Sequence, residues 1–86
     1  MILTYDPTQD AEEAHRLLAM PGNSLTAADL HRMYVEQAWA FFNLAVERRE
    51  MSFPGRPRHH EWHRLMLISK RSTTMARVFL AASRAA

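Results

Sequence analysis

One helix with two apolar faces constrains this chain more than anything else in it. From Leu25 the sequence reads Leu-Thr-Ala-Ala-Asp-Leu. Thr26 is placed to cap a helix, Asp29 stands three residues on, where a capping-box acid belongs, and Leu25 and Leu30 can close a hydrophobic staple. Downstream, Leu30, Met33, Tyr34, Ala38, Phe41, Leu44 and Ala45 recur at three- and four-residue steps and make one apolar face. Val35, Trp39, Phe42 and Val46 recur in the same way on a second face. One partner helix cannot cover both. Either two helices of the same chain flank this one, or a second copy covers the face left over.

The rest of the chain supplies two candidates. Asp6-Pro7-Thr8-Gln9 starts a shorter helix, with Asp6 as the cap and Pro7 at the first helical position, where its missing N–H costs nothing. Asp10, Glu12 and Glu13 follow in the first turns and complement the helix dipole. Ala11, Ala14, Leu17 and Leu18 give it a narrow apolar stripe that Pro21-Gly22-Asn23 ends. Met1 to Tyr5, ahead of it, reads as a short extended strap. After the central helix, two prolines and a glycine in Pro54-Gly55-Arg56-Pro57 force a loop, with Phe53 placed to plug the hairpin end. Nothing interrupts the third helix from Arg58 onward. Leu65, Ile68, Ser69, Ser72, Met75, Ala76, Phe79 and Ala82 form its packing face, and the small residues among them allow close approach.

The expected fold is therefore all-α: an antiparallel hairpin of two long helices plus a shorter N-terminal helix, over about 7–20, 26–51 and 58–84 in one domain. Two glycines and no strand-like runs between turn clusters agree with that. The chain has no cysteine, which excludes disulfides, thiolate metal sites and a cysteine nucleophile. The N-terminus reads as lacking a signal peptide and no segment reaches a membrane-span length, so a cytoplasmic location is expected.

Charge is distributed unevenly. Residues 1–30 carry five acids against Arg16 alone, whereas residues 31–86 carry ten Lys or Arg against four Glu. Such a basic half suits an anionic partner, or else it packs against the acidic segment and is neutralised. On the third helix His63, Lys70, Arg77 and Arg84 fall every seventh residue and form a cationic row, with Arg64 and Arg71 on a flank. Thr73 and Thr74 stand beside it, so hydroxyls and cations could converge on one anion; the alternative is a solvated face. His59 and His63 are four apart, but the His-Glu-x-x-His spacing and a third ligand are missing, so no metal and no cofactor is expected. No glycine-framed serine, phosphate loop or facing pair of carboxylates argues for an enzyme. Trp62 reads as a lid on the hairpin core.

The segment from Arg64 to Leu80 resembles the C-terminal helix of the phage anti-CBASS sponges, which sequester cyclic oligonucleotides. Arg64, Ile68 and Lys70 coincide with that family's pattern, and Ser69, Ala76, Val78 and Leu80 fit it by size or identity. Leu65, Arg71 and Thr74 stand where the family has tryptophan, threonine and glutamine. A second patch, Leu25, Thr26, Asp29, Leu30 and Met33, is similar to the family's Leu-Thr-x-x-Glu-Ile-x-x-Met. The family's ligand-contacting aromatic just before that patch has no counterpart, so Tyr5 or Tyr34 would take its place. The resemblance implies a helical homo-oligomer that holds cyclic nucleotides between protomers without cleaving them. With the residue chemistry it nominates Arg64, Lys70, Arg71, Thr74, Arg77 and Tyr5 for ligand binding, and Val35, Trp39, Phe42 and Val46 for the oligomer interface. The alternatives are a small inhibitor that docks on a larger protein, or a basic helical module that binds nucleic acid through its third helix.

Overall fold

Asp6 and Thr26 open the first two helices by the chemistry expected of them. In the computed structural model, which describes residues 5–20, 22, 24–50 and 59–85, three helices run in order: α1 (Pro7–Ala19), α2 (Ala27–Glu50) and α3 (His59–Ala85). The Asp6 carboxylate accepts from the N–H groups of Thr8 and Gln9 at 3.1 and 3.2 Å. At α2 the capping box closes in both directions. Asp29 N–H donates to the Thr26 hydroxyl and Thr26 N–H to the Asp29 carboxylate, each at 3.1 Å. α1 stops at Met20, whose N–H reaches the Leu17 carbonyl at 3.3 Å, and Gly22 follows with φ +80°, a left-handed turn that glycine adopts without strain. Apart from Tyr5, the expected strap from Met1 to Tyr5 lies outside the described residues, as do the Phe53 plug and the loop around Pro54.

α2 and α3 form the hairpin, and two side-chain bonds fix its register. The Ser69 hydroxyl donates to the Ala38 carbonyl at 2.8 Å, and His31 Nδ1 lies 3.0 Å from the Ala76 carbonyl. Seven residues back along α2 correspond to seven forward along α3, so the helices run antiparallel. A carbonyl only accepts, so His31 carries its proton on Nδ1. Ser69, Ser72 and Ala76 are buried in this seam. Ser72 satisfies its hydroxyl on the Ile68 carbonyl at 2.9 Å, so close helix approach leaves neither serine hydroxyl unbonded.

α1 packs chiefly on α3 and touches α2 only around Leu30 and Tyr34. The helix flanked on two sides is thus the third, and one of the two apolar faces of α2 is left without a cover among the described residues. The core where the three helices meet is built on Ala14, Leu30, Met75 and Phe79, with Leu17, Leu18, Tyr34 and Val78 packed round it. Phe79 is wholly buried and its ring lies 5.2 Å from that of Tyr34. Met33 and Leu44, expected on the inward face of α2, are exposed. At about 100° per residue they point well away from the Leu30–Tyr34–Ala38–Phe41–Ala45 line that meets α3.

An ion pair holds α1 down. Arg71 Nε donates to Asp10 Oδ1 at 3.0 Å, and Asp10 is buried although it belongs to the acidic first turns of α1. The acidic segment therefore packs against the basic helix at this point, as one reading of the charge asymmetry had it.

Candidate functional site

The uncovered face of α2 carries Val35, Trp39, Phe42 and Val46. Trp39 is 62% exposed, Phe42 40% and Val46 36%. Trp39 and Phe42 meet edge to face at 6.0 Å, so the two rings form one ridge. Beside this ridge, between α2 and α3, lies a groove of about 400 Å³ walled chiefly by Val35, Trp39, Phe42, Ala76, Arg77 and Leu80. Val46 stands on the same stripe beyond the groove's end.

The groove's polar side chains are mostly committed already. Ser69 and His31 bond to carbonyls across the hairpin, and Thr73 donates to the Ser69 carbonyl at 3.0 Å. Arg77 is the exception, an exposed guanidinium on the α3 wall with no ion-pair partner among the described residues. What the groove offers an occupant is an apolar trough with one cation at its edge.

The other nominated residues divide among three places. Tyr5, Lys70 and Thr74 come together. The Tyr5 hydroxyl lies 2.7 Å from that of Thr74, which is itself 3.1 Å from the Lys70 carbonyl. Thr74 has one proton, and the carbonyl can only accept it, so Tyr5 donates to Thr74. Lys70 Nζ stands 6.0 Å from the centre of the Tyr5 ring. Arg71 is engaged with Asp10, and it borders a recess of about 200 Å³ that also holds Glu13, Gln37 and Ser72, a wall of mixed charge. Arg64, seven residues back from Arg71, is exposed on that same flank. Thr73 and Thr74 both turn their protons to the backbone of α3, so the hydroxyls do not aim outward as a pair.

At the end of the hairpin where α2 stops and α3 starts, the Arg49 guanidinium lies 5.4 Å over the half-buried Trp62 ring and ties α2 to α3. Of the two histidines weighed as metal ligands, His63 is exposed and edge-on to Trp62, and the His59 side chain lies outside the described residues. Sequence reasoning missed the Asp10–Arg71 pair. The available signal was the opposite charge of the two ends of the chain, which says that they attract but not through which residues.

No described helix is long and apolar enough to cross a membrane. Comparison of the chain with family models, with curated proteins and with solved structures gives no match.

Proposed function

We propose that this chain is a non-enzymatic binding module whose α2/α3 groove takes the apolar ridge of a protein helix. The observation that carries the reading is Trp39, standing largely exposed at the rim of an apolar trough whose neighbouring polar groups are mostly satisfied within the chain. Leaving that much of an indole in water forgoes on the order of 3 kcal/mol of burial, and covering it recovers that energy. A helix ridge suits a trough bounded by two helices because side chains of one helix seat between those of its neighbours. The apolar dye anilinonaphthalene sulfonate, added to protein dilute enough to be a single copy, is expected to light up on the wild-type chain and not on Trp39→Glu or Phe42→Glu. Equal dye binding by all three would defeat the reading.

A second reading rests on a different observation. An aromatic ring, a hydroxyl pair and an ammonium meet at Tyr5, Thr74 and Lys70, on the row that continues to Arg77. Ring, hydroxyl and cation suit a base and its phosphate. This supports an anionic ligand, and with the family resemblance a cyclic oligonucleotide sequestered as a phage anti-defence measure. A thermal-shift panel of cyclic di- and trinucleotides tests it. A ligand at about a hundred times its Kd stabilises by roughly 2.7 kcal/mol, and Lys70→Ala with Arg77→Ala should remove the shift. Binding to any polyanion with a steep fall in salt would point to nucleic acid instead.

A further inference from the structure

We infer that the helix seated in the groove is α2 of a second copy of this chain, paired antiparallel about a two-fold axis that passes between Ala40 and Phe41. The inference rests on the groove reading and adds the identity and register of the occupant.

The first support is the order of the stripe. Val35, Trp39, Phe42 and Val46 are separated by steps of four, three and four residues, so the series valine, aromatic, aromatic, valine reads alike in both directions. Rotating one helix onto another about the centre of that series sets Val35 against Val46 of the second copy and Trp39 against Phe42 of the second copy. Each layer then pairs groups of similar bulk. A parallel pairing would oppose Trp39 to Trp39 and stack the largest side chains in one layer.

The second support is the distribution of shape along the stripe. The hairpin register, His31 beside Ala76 and Ala38 beside Ser69, puts the α3 wall of Ala76, Arg77 and Leu80 next to the N-terminal half of α2. The concave part of the surface is therefore at that end. Trp39 and Phe42 border the groove, and the exposed Val46 stands beyond it in the C-terminal half. The groove thus lies toward one end of the stripe and Val46 toward the other, and the antiparallel two-fold sets the Val46 end of each copy over the groove of the other, the self-complementarity that an isologous interface requires.

Charge agrees with this register. Glu36 and Asn43 flank the stripe on its outer side, and the rotation brings each beside the other's counterpart, an amide next to a carboxylate. Arg77, level with the first turns of its own α2, comes beside the C-terminal turn of the second copy's α2, the end that the helix dipole makes negative. Arg32 and Arg49 bound the stripe and would approach each other, but Arg32 is held by Asp29 at 2.9 Å and Arg49 lies over Trp62.

Sedimentation equilibrium on the full chain tests this. The wild type should sediment at twice its 10.0 kDa mass. Val35→Lys and Val46→Glu should each weaken association at least about a hundredfold, because a charge is left unpaired in a desolvated layer. Helicity by circular dichroism should be unchanged in both, since neither valine is in the buried core. Mixing the two variants should restore a dimer, because the lysine of one chain then meets the glutamate of the other while the remaining layer is Val35 against Val46. A parallel dimer would not recover on mixing, and that result would overturn the register. A wild type of single-copy mass at all concentrations would overturn the inference. If such a chain still binds the dye in its groove, the groove reading stands and another protein is the occupant. If it does not, both fall.

Discussion

The two faces of α2 are built from similar residues and have opposite fates. Leu30, Tyr34, Ala38 and Ala45 meet α3, and the polar groups in that seam find partners across it. Val35, Trp39, Phe42 and Val46 are as apolar, yet none of the described helices covers them. The difference is not in composition but in where α1 goes. α1 packs chiefly on α3 and reaches α2 only around Leu30 and Tyr34, so it leaves the stripe at the surface. A helix can therefore carry two apolar faces with only one of them serving the fold, and the other is where function is to be sought.

Paired substitutions test that division most sharply. Phe79→Ala empties the fully buried centre of the core and should cost about 3–5 kcal/mol, a large part of what a small domain has. Trp39→Ala, a larger truncation on the other face, should change the single-chain fold by no more than about 0.5 kcal/mol. Urea unfolding at low protein concentration measures both. If Trp39→Ala approached the cost of Phe79→Ala under those conditions, the outer stripe would belong to the fold after all.

The seat of α1 is the next point to break. Arg71→Ala leaves the Asp10 carboxylate buried without its cation, and Asp10 Oδ2 already has no partner among the described residues. Because the arginine side is 41% exposed, water screens part of the loss, and the expected cost is about 2 kcal/mol rather than the full penalty of a broken buried pair. Asp10→Ala with Arg71→Ala should cost less than the two single changes added together, since the double variant strands no charge. Additive costs in denaturant titrations would mean that the pair does not hold α1 in place.

The starts of α1 and α2 and the hairpin were legible because their signals are local: Asp6-Pro7, Thr26 with Asp29, and helical spacing on either side of a Pro-Gly-rich run. The stripe on α2 was legible for the same reason. The seat of α1 was not, because it depends on Asp10 finding Arg71 across 61 residues of sequence, which no periodicity encodes. Nor was the division of the cations. A seven-residue spacing aligns Lys70 with Arg77, but only the fold sets one beside Tyr5 and the other on the groove wall. Met33 and Leu44 teach the converse. Three- and four-residue spacing marks a broad arc, and the neighbouring helix decides which part of it is covered.

The smallest expected effect concerns how α2 begins, which both of its faces share. The Thr26 backbone N–H, then the Thr26 hydroxyl and the Arg32 guanidinium, hold the Asp29 carboxyl below the usual carboxylate range. A folded-state value below the unfolded one stabilises the fold at pH above the unfolded value, about 4, and that contribution is lost as pH falls through the folded value. Thr26→Ala removes one capping oxygen and should cost about 1 kcal/mol near neutral pH. Asp29→Asn should unfold less steeply with acid than the wild type, because it no longer has that carboxylate to protonate. Thermal melts from pH 6 to pH 2 decide the matter, and parallel slopes for the two proteins would mean that the capping box contributes nothing to acid sensitivity. The outer stripe contains no titratable group, so Trp39→Ala should follow the wild-type slope throughout, which separates a defect in starting the helix from one on its exposed face.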